Sequence, residues 1–315
     1  MPHVADGESH ELHLLRKKHY NATVKSFRHV TESLAIMHVA PDSAMPPFEA
    51  GQYTVLGLTY REPRVESSRA EAPRSDKDLN RLARRAYSVS CPILDHNDNV
   101  VTVRQASDLE FYIALVAGSN DNPPVLTPRL FALHEGDRIH VGPRFHGTYT
   151  LQSVNPSDHV AFLSTGTGEA PHNAMLAELL RREHKGRIVS VVCTRLRTDL
   201  AYLNTHRRVE SIFSNYAYSA LTTREPENVD PSLPGFIGKQ YIQDYFLSGE
   251  MELDAGFRFD SGNTHVFLCG NPAMIDATNS RTNVARPGMV ELLSHRGFIP
   301  DKPRHRGNIH FEKYW

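Results

Sequence analysis

Cysteine is scarce in this sequence. The 315 residues include three cysteines, Cys91, Cys193 and Cys269, which lie far apart. This number and spacing suit neither a disulfide framework nor a zinc or iron–sulfur ligand set. The 18 histidines form no HExxH motif and no paired Cys–His spacing, so we interpret them as surface residues. We therefore expect no metal, and any electron transfer must depend on another cofactor.

The sequence also lacks a charge excess and long apolar runs. Its 35 basic and 36 acidic residues give a formal net charge of -1, which creates no general attraction for nucleic acid or anionic membranes. No run approaches the roughly 18 apolar residues of a membrane span, and residues 1–20 lack the apolar region of a secretory signal. We expect a cytoplasmic protein without nucleic-acid or membrane partners.

Length and composition indicate two folded domains. The chain exceeds the about 100 to 200 residues that are typical of one domain. Hydrophobic residues make up 40% and charged residues 23%, as in ordinary globular proteins. The pattern of elements changes at the polar segment "QSVNPSDH". We predict an N-terminal extension at 1–20, a first domain at 21–154 and a second domain at 155–315.

The first domain is predicted to be an antiparallel β-barrel. Short strand-like segments, from "NATVKSF" to "GTYTLQS", are separated by turn residues. "LTPRLFALHEGD" predicts a helix, for which Thr127 supplies the cap and Pro128 the first turn. The charged insertion 61–83 interrupts the strands and is interpreted as solvated surface.

The second domain is predicted to be a doubly wound α/β domain with a parallel sheet. "VAFLST", "GTGEAP", "HNAMLAELLRREHKG" and "RIVSVVC" follow each other as strand, loop, helix and strand, which is a βαβ unit. Further units follow as far as "THVFLCG". A second insertion, at 279–288, is also interpreted as a solvated loop.

Two loops that follow strands are candidates for nucleotide binding, because ligands of open α/β sheets bind at the carboxyl ends of strands. In "STGTGEAP", Gly166 and Gly168 allow backbone N–H groups to approach a phosphate, and Pro171 suits the first helical turn. Glu169 is expected to point away from the phosphate. "FLCGNPAM" places Cys269 at the end of another strand. The two loops can face each other across a dinucleotide.

Basic residues follow other strands of the same predicted sheet. They are Arg195, Arg197, Arg224 and Lys239. Arginine gives permanently charged, bidentate recognition of phosphate. This cluster favours NADP, with its 2'-phosphate, over NAD.

Together these motifs resemble the ferredoxin–NADP(+) reductase family, specifically its bacterial members. "RAYSV" resembles the R-x-Y-S flavin motif, "GTGEAP" the G-T-G-x-A-P motif and "CGNPAM" the late C-G-x-x-x-M loop; the similarity spans about 21–315. The resemblance implies an FAD-binding antiparallel β-barrel followed by an NADP-binding α/β doubly wound parallel-sheet domain. It also implies hydride transfer between NADP(H) and flavin N5, followed by one-electron exchange with ferredoxin or flavodoxin.

The resemblance assigns roles to the "RAYSV" strand, which lies against FAD in the family. Arg85 would pair with the pyrophosphate, Tyr87 would stack on the isoalloxazine and Ser88 would hydrogen-bond near N5, as their chemistry allows. Thr127 matches the turn that holds the FAD diphosphate. Pro124 departs from the family pattern, which usually has glycine there.

Other site residues are likewise implied by the resemblance. Cys269 matches a residue beside the nicotinamide and Glu312 an acidic residue that serves proton or electron passage, so that Ser88, Cys269 and Glu312 form the implied catalytic set. Trp315, or alternatively Tyr314, would cover FAD. The residues implied for NADP binding are Thr165, Gly166, Thr167, Gly168, Arg195, Arg224, Lys239, Gly270, Asn271 and Met274.

An acidic ferredoxin requires a basic docking face. The candidates are Arg81, Arg84, Arg304 and Arg306, and the family implies a monomer. Two alternatives stay open: an NADPH-dependent flavin or small-molecule reductase of the same fold, and a non-catalytic nucleotide-binding module.

Overall fold

A computed structural model describes residues 10–116, 118, 123–276, 286–302 and 305–314. Its strands are β1 (Ala22–Thr31), β2 (Leu34–Pro41), β3 (Tyr53–Thr59), β4 (Leu82–Ser88), β5 (Ile93–Leu94), β6 (Val100–Val101), β7 (Leu109–Ala114), β8 (Arg138–Val141), β9 (His159–Thr165), β10 (Ile188–Thr194), β11 (Tyr216–Thr222), β12 (Thr264–Gly270) and β13 (Ile309–Lys313). Its helices are α1 (His10–His19), α2 (Asp76–Leu79), α3 (Thr127–Leu130), α4 (Glu169–Arg181), α5 (Leu203–Ile212), α6 (Pro226–Val229), α7 (Ile242–Leu247), α8 (Glu250–Ala255), α9 (Pro272–Ile275) and α10 (Met289–His295). No helix within these ranges is long and apolar enough to cross a membrane.

The chain folds into two compact units. Unit 1 comprises residues 1–48, 52–89 and 106–147, and unit 2 comprises 49–51, 90–105 and 148–315. The predicted domain limits, 21–154 and 155–315, therefore differ from the units mainly at 90–105, which was assigned to the barrel. Residues 10–20, predicted as a separate extension, belong to unit 1.

Unit 1 is built on a six-stranded antiparallel sheet with the order β4-β3-β8-β1-β2-β7. Apolar side chains on alternate positions of its strands point into the core. On β2, for example, the side chains of Ala35, Met37 and Val39 are fully buried. The antiparallel architecture predicted for the N-terminal part is confirmed. "GTYTLQS" was wrongly predicted as a strand: it contains a short 3-10 turn at Leu151–Ser153 and belongs to unit 2 from Thr148 onward.

The segment 90–105 forms a two-stranded ribbon, β5 and β6, separate from the main sheet. Side-chain contacts explain why it belongs to unit 2. The Cys91 thiol donates to the carbonyl of Asn173 on α4 at 3.5 Å, and Arg208 on α5 forms an ion pair with Asp98 in the turn of the ribbon. A strand-like pattern alone could not reveal which sheet these residues join.

Insertion 61–83 is more ordered than predicted. Glu62 is 4% exposed, accepts a hydrogen bond from Tyr20 Oη at 2.7 Å and forms an ion pair with Arg16 of α1 at 2.7 Å. The interpretation of this insertion as wholly solvated surface is therefore wrong, because its carboxylates anchor other segments of unit 1.

Helix α3 begins one residue earlier than predicted, at Thr127, the residue predicted to be its cap. Its N-cap is Leu126, and Thr127 is the first helical residue, followed by Pro128. The Thr127 hydroxyl instead accepts a hydrogen bond from the backbone N–H of Val116 at 3.2 Å, just after β7. This side chain thus joins the turn to the end of a strand rather than capping the helix.

Unit 2 is the predicted α/β domain. Five parallel strands have the order β11-β10-β9-β12-β13. The β10 strand is buried along its whole length, as expected for a strand covered on both faces, and α4 buries most of its residues. The strand order reverses between β9 and β12. Their carboxyl ends therefore lie at the topological switch point, where open α/β sheets bind ligands.

Several histidines are buried, contrary to the expectation of surface residues. His172, His206 and His310 are each at most 2% exposed. His310 Nδ1 donates to Asp301 at 2.7 Å, His310 Nε2 lies 3.0 Å from His265 Nδ1, and His206 contacts Glu169 at 2.9 Å. His206 and His310 have partners inside unit 2 at both ring nitrogens, whereas His172 contacts Tyr149 through Nε2 and its Nδ1 has no partner within the described structure. Within the described ranges no cluster of potential ligands suits a metal ion.

Candidate functional site

The loops after β9 and β12 interlock at the switch point. The Thr165 hydroxyl accepts a hydrogen bond from Asn271 N at 2.8 Å. A Cβ atom added at Gly168 would lie 2.3 Å from the carbonyl oxygen of Cys269, and one added at Gly270 would lie 2.3 Å from Thr165 Oγ1. Both glycines are thus required for the close approach of two backbones. The two predicted loops are brought together as one structure.

Gly166 differs from its neighbour Gly168. It adopts a positive φ of 51°, and a Cβ atom there would meet nothing within 4 Å. The turn at Gly166–Gly168 leads directly into α4, whose N-terminal N–H groups favour anions. The backbone at Gly166 is therefore open to a ligand, whereas Gly168 serves packing.

Glu169 at the start of α4 points into unit 2, as expected. It is 2% exposed and contacts His206 Nε2 at 2.9 Å, while His206 Nδ1 lies 2.7 Å from Tyr216 Oη. This buried chain joins α4 to α5 and β11. Sequence reasoning missed it, because residues that are 37 positions apart give no local signal.

The predicted phosphate-binding arginines separate into two kinds. The backbone N–H of Arg224 donates to the carbonyl of Arg195 at 2.8 Å, which joins the loops after β10 and β11. Both side chains are exposed, and neither guanidinium has a partner within the described part of the chain. Arg197 instead forms an ion pair with Glu227 at 2.8 Å. Arg195 and Arg224 are thus the more available cations.

The remaining predicted NADP residues occupy varied positions. Lys239 is exposed, and the next residue, Gln240, donates its N–H to the carbonyl of Thr222 at the end of β11, 3.1 Å away. Asn271 caps α9 through its side chain, which accepts from Ala273 N. Met274 is 4% exposed and packs in the core of unit 2. Its side chain is therefore not presented at the open edge of the loop.

Cys269 lies between two polar residues on neighbouring strands. It is in register with Ser164 on β9 and with Glu312 on β13. Cys269 is fully buried, and burial, then the charge of Glu312, raises the pKa of its thiol far above the usual value; a hydrogen bond with Tyr314 opposes this only in part. The thiol is thus neutral, which excludes a thiolate nucleophile.

Tyr149 and His172 form a buried pair that sequence reasoning also missed. Tyr149 Oη and His172 Nε2 are 2.7 Å apart, and both residues are buried. Burial lowers the pKa of His172 to about 3, so the imidazole is neutral. Its ring also packs against Phe162 of β9, at 5.0 Å between centroids.

His172 is expected to make stability depend on pH. Because its pKa is about 3 when folded and 6.5 when unfolded, the unfolded state binds more protons between these values, and stability is lost as the pH falls through this window. At pH 5 the loss relative to pH 7.5 is about 2 kcal/mol. Urea unfolding at both pH values should show this loss in the wild type and less of it in His172→Gln. An equal loss in both proteins would contradict the assignment; exposed His134→Gln is the control.

In unit 1, the predicted flavin residues lie on β4, which pairs with β3. The Arg85 side chain is exposed and donates to the carbonyl of Arg84 at 2.8 Å. The Tyr87 side chain is half-buried, with its ring edge-on to Phe111 at 6.5 Å. Ser88 is 6% exposed. The strand therefore presents a guanidinium and part of an aromatic ring at the surface of unit 1.

The arginines predicted to form a ferredoxin-docking face differ in their exposure and in their partners. Arg84 is exposed on β4, whereas Arg81 pairs with Asp78 at 3.4 Å and Arg306 donates to the carbonyl of Thr148 at 2.9 Å. Arg304 and the predicted stacking residue Trp315 lie outside the described residues, as does most of the insertion 279–288. Tyr314, the alternative stacker, is half-buried and donates its N–H to the carbonyl of Gly270.

Comparisons with known proteins match both the loops and the fold. The family model described as "Oxidoreductase NAD-binding domain" matches residues 162–280, which include both interlocked loops. A flavodoxin/ferredoxin–NADP reductase of Buchnera aphidicola is 27% identical over 89% of this chain and 93% of its own length. The Escherichia coli protein of the same name is 29% identical over 78% of this chain and 82% of its length.

Among solved structures, a ferredoxin NADP+ reductase from Neisseria gonorrhoeae, which contains bound FAD and NADP, is similar in fold. Its TM-score is 0.68 at 18% sequence identity, and the match covers 93% of this chain and 97% of the other. Fold, interlocked loops and family model define a nicotinamide-nucleotide oxidoreductase. The names of the relatives and the order of the motifs support the predicted resemblance to the ferredoxin–NADP(+) reductase family.

Proposed function

We propose that this protein is an FAD-dependent ferredoxin/flavodoxin–NADP(+) reductase. The observation that carries the proposal is the pair of interlocked loops at the switch point, with two available arginines on the adjacent loops. The named relatives support the same activity. Electrons would be transferred between NADP(H) and a one-electron carrier protein.

The residues of unit 2 fit NADP(H). The open backbone at Gly166 and the N-terminus of α4 suit a pyrophosphate, because both offer N–H donors to an anion. Arg195 and Arg224 would bind the 2'-phosphate, assisted by Lys239. The neutral thiol of Cys269 would lie against the nicotinamide without reacting with it, which suits a redox enzyme rather than an acyl-transfer enzyme.

The residues of unit 1 fit FAD. Arg85 has a guanidinium whose one described hydrogen bond is to a neighbouring carbonyl, so it can also bind a pyrophosphate. The half-buried ring of Tyr87 offers a flat apolar surface, and Ser88 offers a hydroxyl. When bound, the flavin would accept two electrons as hydride from NADPH and release them singly. Glu312 would hold or pass a proton near Cys269, since its strand position adjoins that thiol.

Arg224→Ala should reveal nucleotide selectivity. Loss of a charged hydrogen bond to phosphate costs about 1.5 to 3 kcal/mol, so the KM for NADPH should rise roughly 10- to 100-fold while that for NADH stays nearly constant. Steady-state kinetics with both nucleotides measures this. Arg197→Ala is the matched control and should have a smaller effect, because Glu227 already pairs with Arg197. Equal changes for NADPH and NADH would remove the 2'-phosphate assignment.

Reduction of purified ferredoxin and flavodoxin by NADPH tests the choice of acceptor. Rapid reduction of at least one carrier supports the proposal. NADPH oxidation by free flavin or a small quinone, with neither carrier reduced, would favour the alternative of a small-molecule reductase. Failure of NADPH oxidation altogether would favour a non-catalytic nucleotide-binding module. A monomeric state, a cytoplasmic location and a docking face that includes Arg84 also stay predictions.

A further inference from the structure

Insertion 61–83 carries a buried carboxylate surrounded by arginines. The side chain of Glu71 is 8% exposed. Its Oε1 atom lies 2.8 Å from Arg129 Nη1 and 3.8 Å from Arg64 Nε, and its Oε2 atom accepts from Arg74 Nε at 3.4 Å. One acidic group thus connects two arginines of the insertion to Arg129, which follows Thr127 and Pro128 in α3.

The same arginines hold the turn at 123–129 by its backbone. Arg129 Nη1 donates to the carbonyl of Val125 at 2.6 Å, and Arg64 Nη2 donates to the carbonyl of Pro124 at 2.9 Å. Val65 N donates to the carbonyl of Pro128 at 3.1 Å. The insertion therefore holds the carbonyls of Pro124 and Pro128, and Arg129, itself bound to Glu71 of the insertion, holds that of Val125.

Tyr60, immediately before the insertion, completes the cluster. Its carbonyl accepts from Arg129 Nη2 at 2.7 Å, and the Arg74 guanidinium lies 3.9 Å from the centre of its ring, a cation–π distance. The Arg129 side chain is 3% exposed, and its Nε–H has no hydrogen-bond partner within the described structure. A buried guanidinium in this state depends strongly on its carboxylate partner.

The charges of the cluster do not cancel. Three arginines surround one glutamate, which leaves an excess of positive charge beside the turn that contains Thr127. Burial opposes ionisation of Glu71, but the hydrogen bond and charge of Arg129, the charge of Arg64 and the hydrogen bond of Arg74 outweigh it and lower the pKa of Glu71. The carboxylate therefore stays ionised at neutral pH and holds the arginines in place.

We propose that insertion 61–83 positions the turn at 123–129 for the diphosphate of FAD, and that Glu71 is the positioning residue at its centre. This inference rests on the proposed function and on the family resemblance, which assigns Thr127 to the turn that holds that diphosphate. It also bears on Pro124, which stands where the family pattern given by the resemblance usually has glycine: its carbonyl is held by Arg64 of the insertion. The backbone of this turn is thus held by contacts from the insertion, and it does not depend on the conformational freedom of a glycine.

Titration of the apoprotein with FAD tests the proposal, with the dissociation constant as the readout. Glu71→Gln should weaken FAD binding about tenfold or more, because the arginines lose their common ionic partner. Glu71→Asp, which keeps the charge, should recover part of the affinity. Glu66→Gln changes an exposed carboxylate of the same insertion and should leave it unchanged. The dissociation constant for NADPH should not change in any variant.

The outcomes separate the inference from the proposed function. If the wild type binds no FAD, the proposed function fails. If the wild type binds FAD and Glu71→Gln binds it equally well, or if Asp and Gln have the same effect, the positioning role is overturned. If Glu71→Gln does not fold, Arg64→Gln is tested instead, because it removes the hydrogen bond to the Pro124 carbonyl. Unchanged FAD affinity of Arg64→Gln would refute the proposal, and weakened affinity would support it.

Discussion

Replacing Gly168 with alanine should lower the turnover of NADPH by about 100-fold or more while FAD binding is retained. The added methyl group would lie 2.3 Å from the carbonyl oxygen of Cys269 and 2.9 Å from Gly270 N, so the backbone must shift. A displacement of about 1 Å at a reacting centre is enough for an effect of this size. Because the overlap is with backbone, no rotation of a side chain can relieve it.

Single-turnover reduction by NADPH, together with FAD titration, measures the effect of Gly168→Ala. Gly262→Ala is the control in the same unit, because its methyl group would meet only the flexible carboxylate of Asp260, at 3.3 Å. If Gly168→Ala reduced its flavin at the wild-type rate, the interlocked loops would not form the nucleotide site. A global loss of folding would appear as loss of FAD binding as well.

Tyr87→Ala should weaken FAD binding by roughly 10- to 100-fold. The substitution removes the ring that we expect to contact the isoalloxazine, and loss of an aromatic contact with its buried area costs about 1.5 to 3 kcal/mol. The ring is already half-buried and held edge-on to Phe111, so little ordering is required when a ligand binds. FAD titration of the apoprotein measures the change.

Tyr87→Phe separates the ring from the hydroxyl. It keeps the aromatic face and should bind FAD nearly as well as the wild type. Equal retention of FAD by Tyr87→Ala and the wild type would contradict the stacking role. Equal losses in Phe and Ala variants would instead assign the contact to the hydroxyl.

The architecture and the two loops could be predicted because their signals are local. "VAFLST" and "THVFLCG" are apolar runs that end in glycine-containing turns, and the structure places β9 and β12 at these segments, next to each other in the sheet. The roles of the glycines were predicted less well. Gly166 is open as expected, whereas Gly168 is required by packing against Cys269, which no single loop sequence contains.

The errors arose where a residue depends on a distant partner. Ribbon 93–101 has the composition of a barrel strand, but its contacts with α4 and α5 assign it to unit 2. Glu71 appeared to be one charge in a solvated run, although Arg129, 58 residues away, buries it. Likewise, His172 and His206 were interpreted as surface residues because their partners Tyr149 and Glu169 cannot be recognised from spacing.

The most direct test is an anaerobic absorbance spectrum of the purified, FAD-reconstituted protein before and after one equivalent of NADPH, repeated with NADH. We predict flavin bands that bleach rapidly with NADPH and slowly with NADH, because Arg195 and Arg224 are available for a 2'-phosphate. A protein that takes up no FAD, or whose bound flavin is not bleached by either nucleotide, would contradict the assignment as an FAD-dependent NADPH reductase.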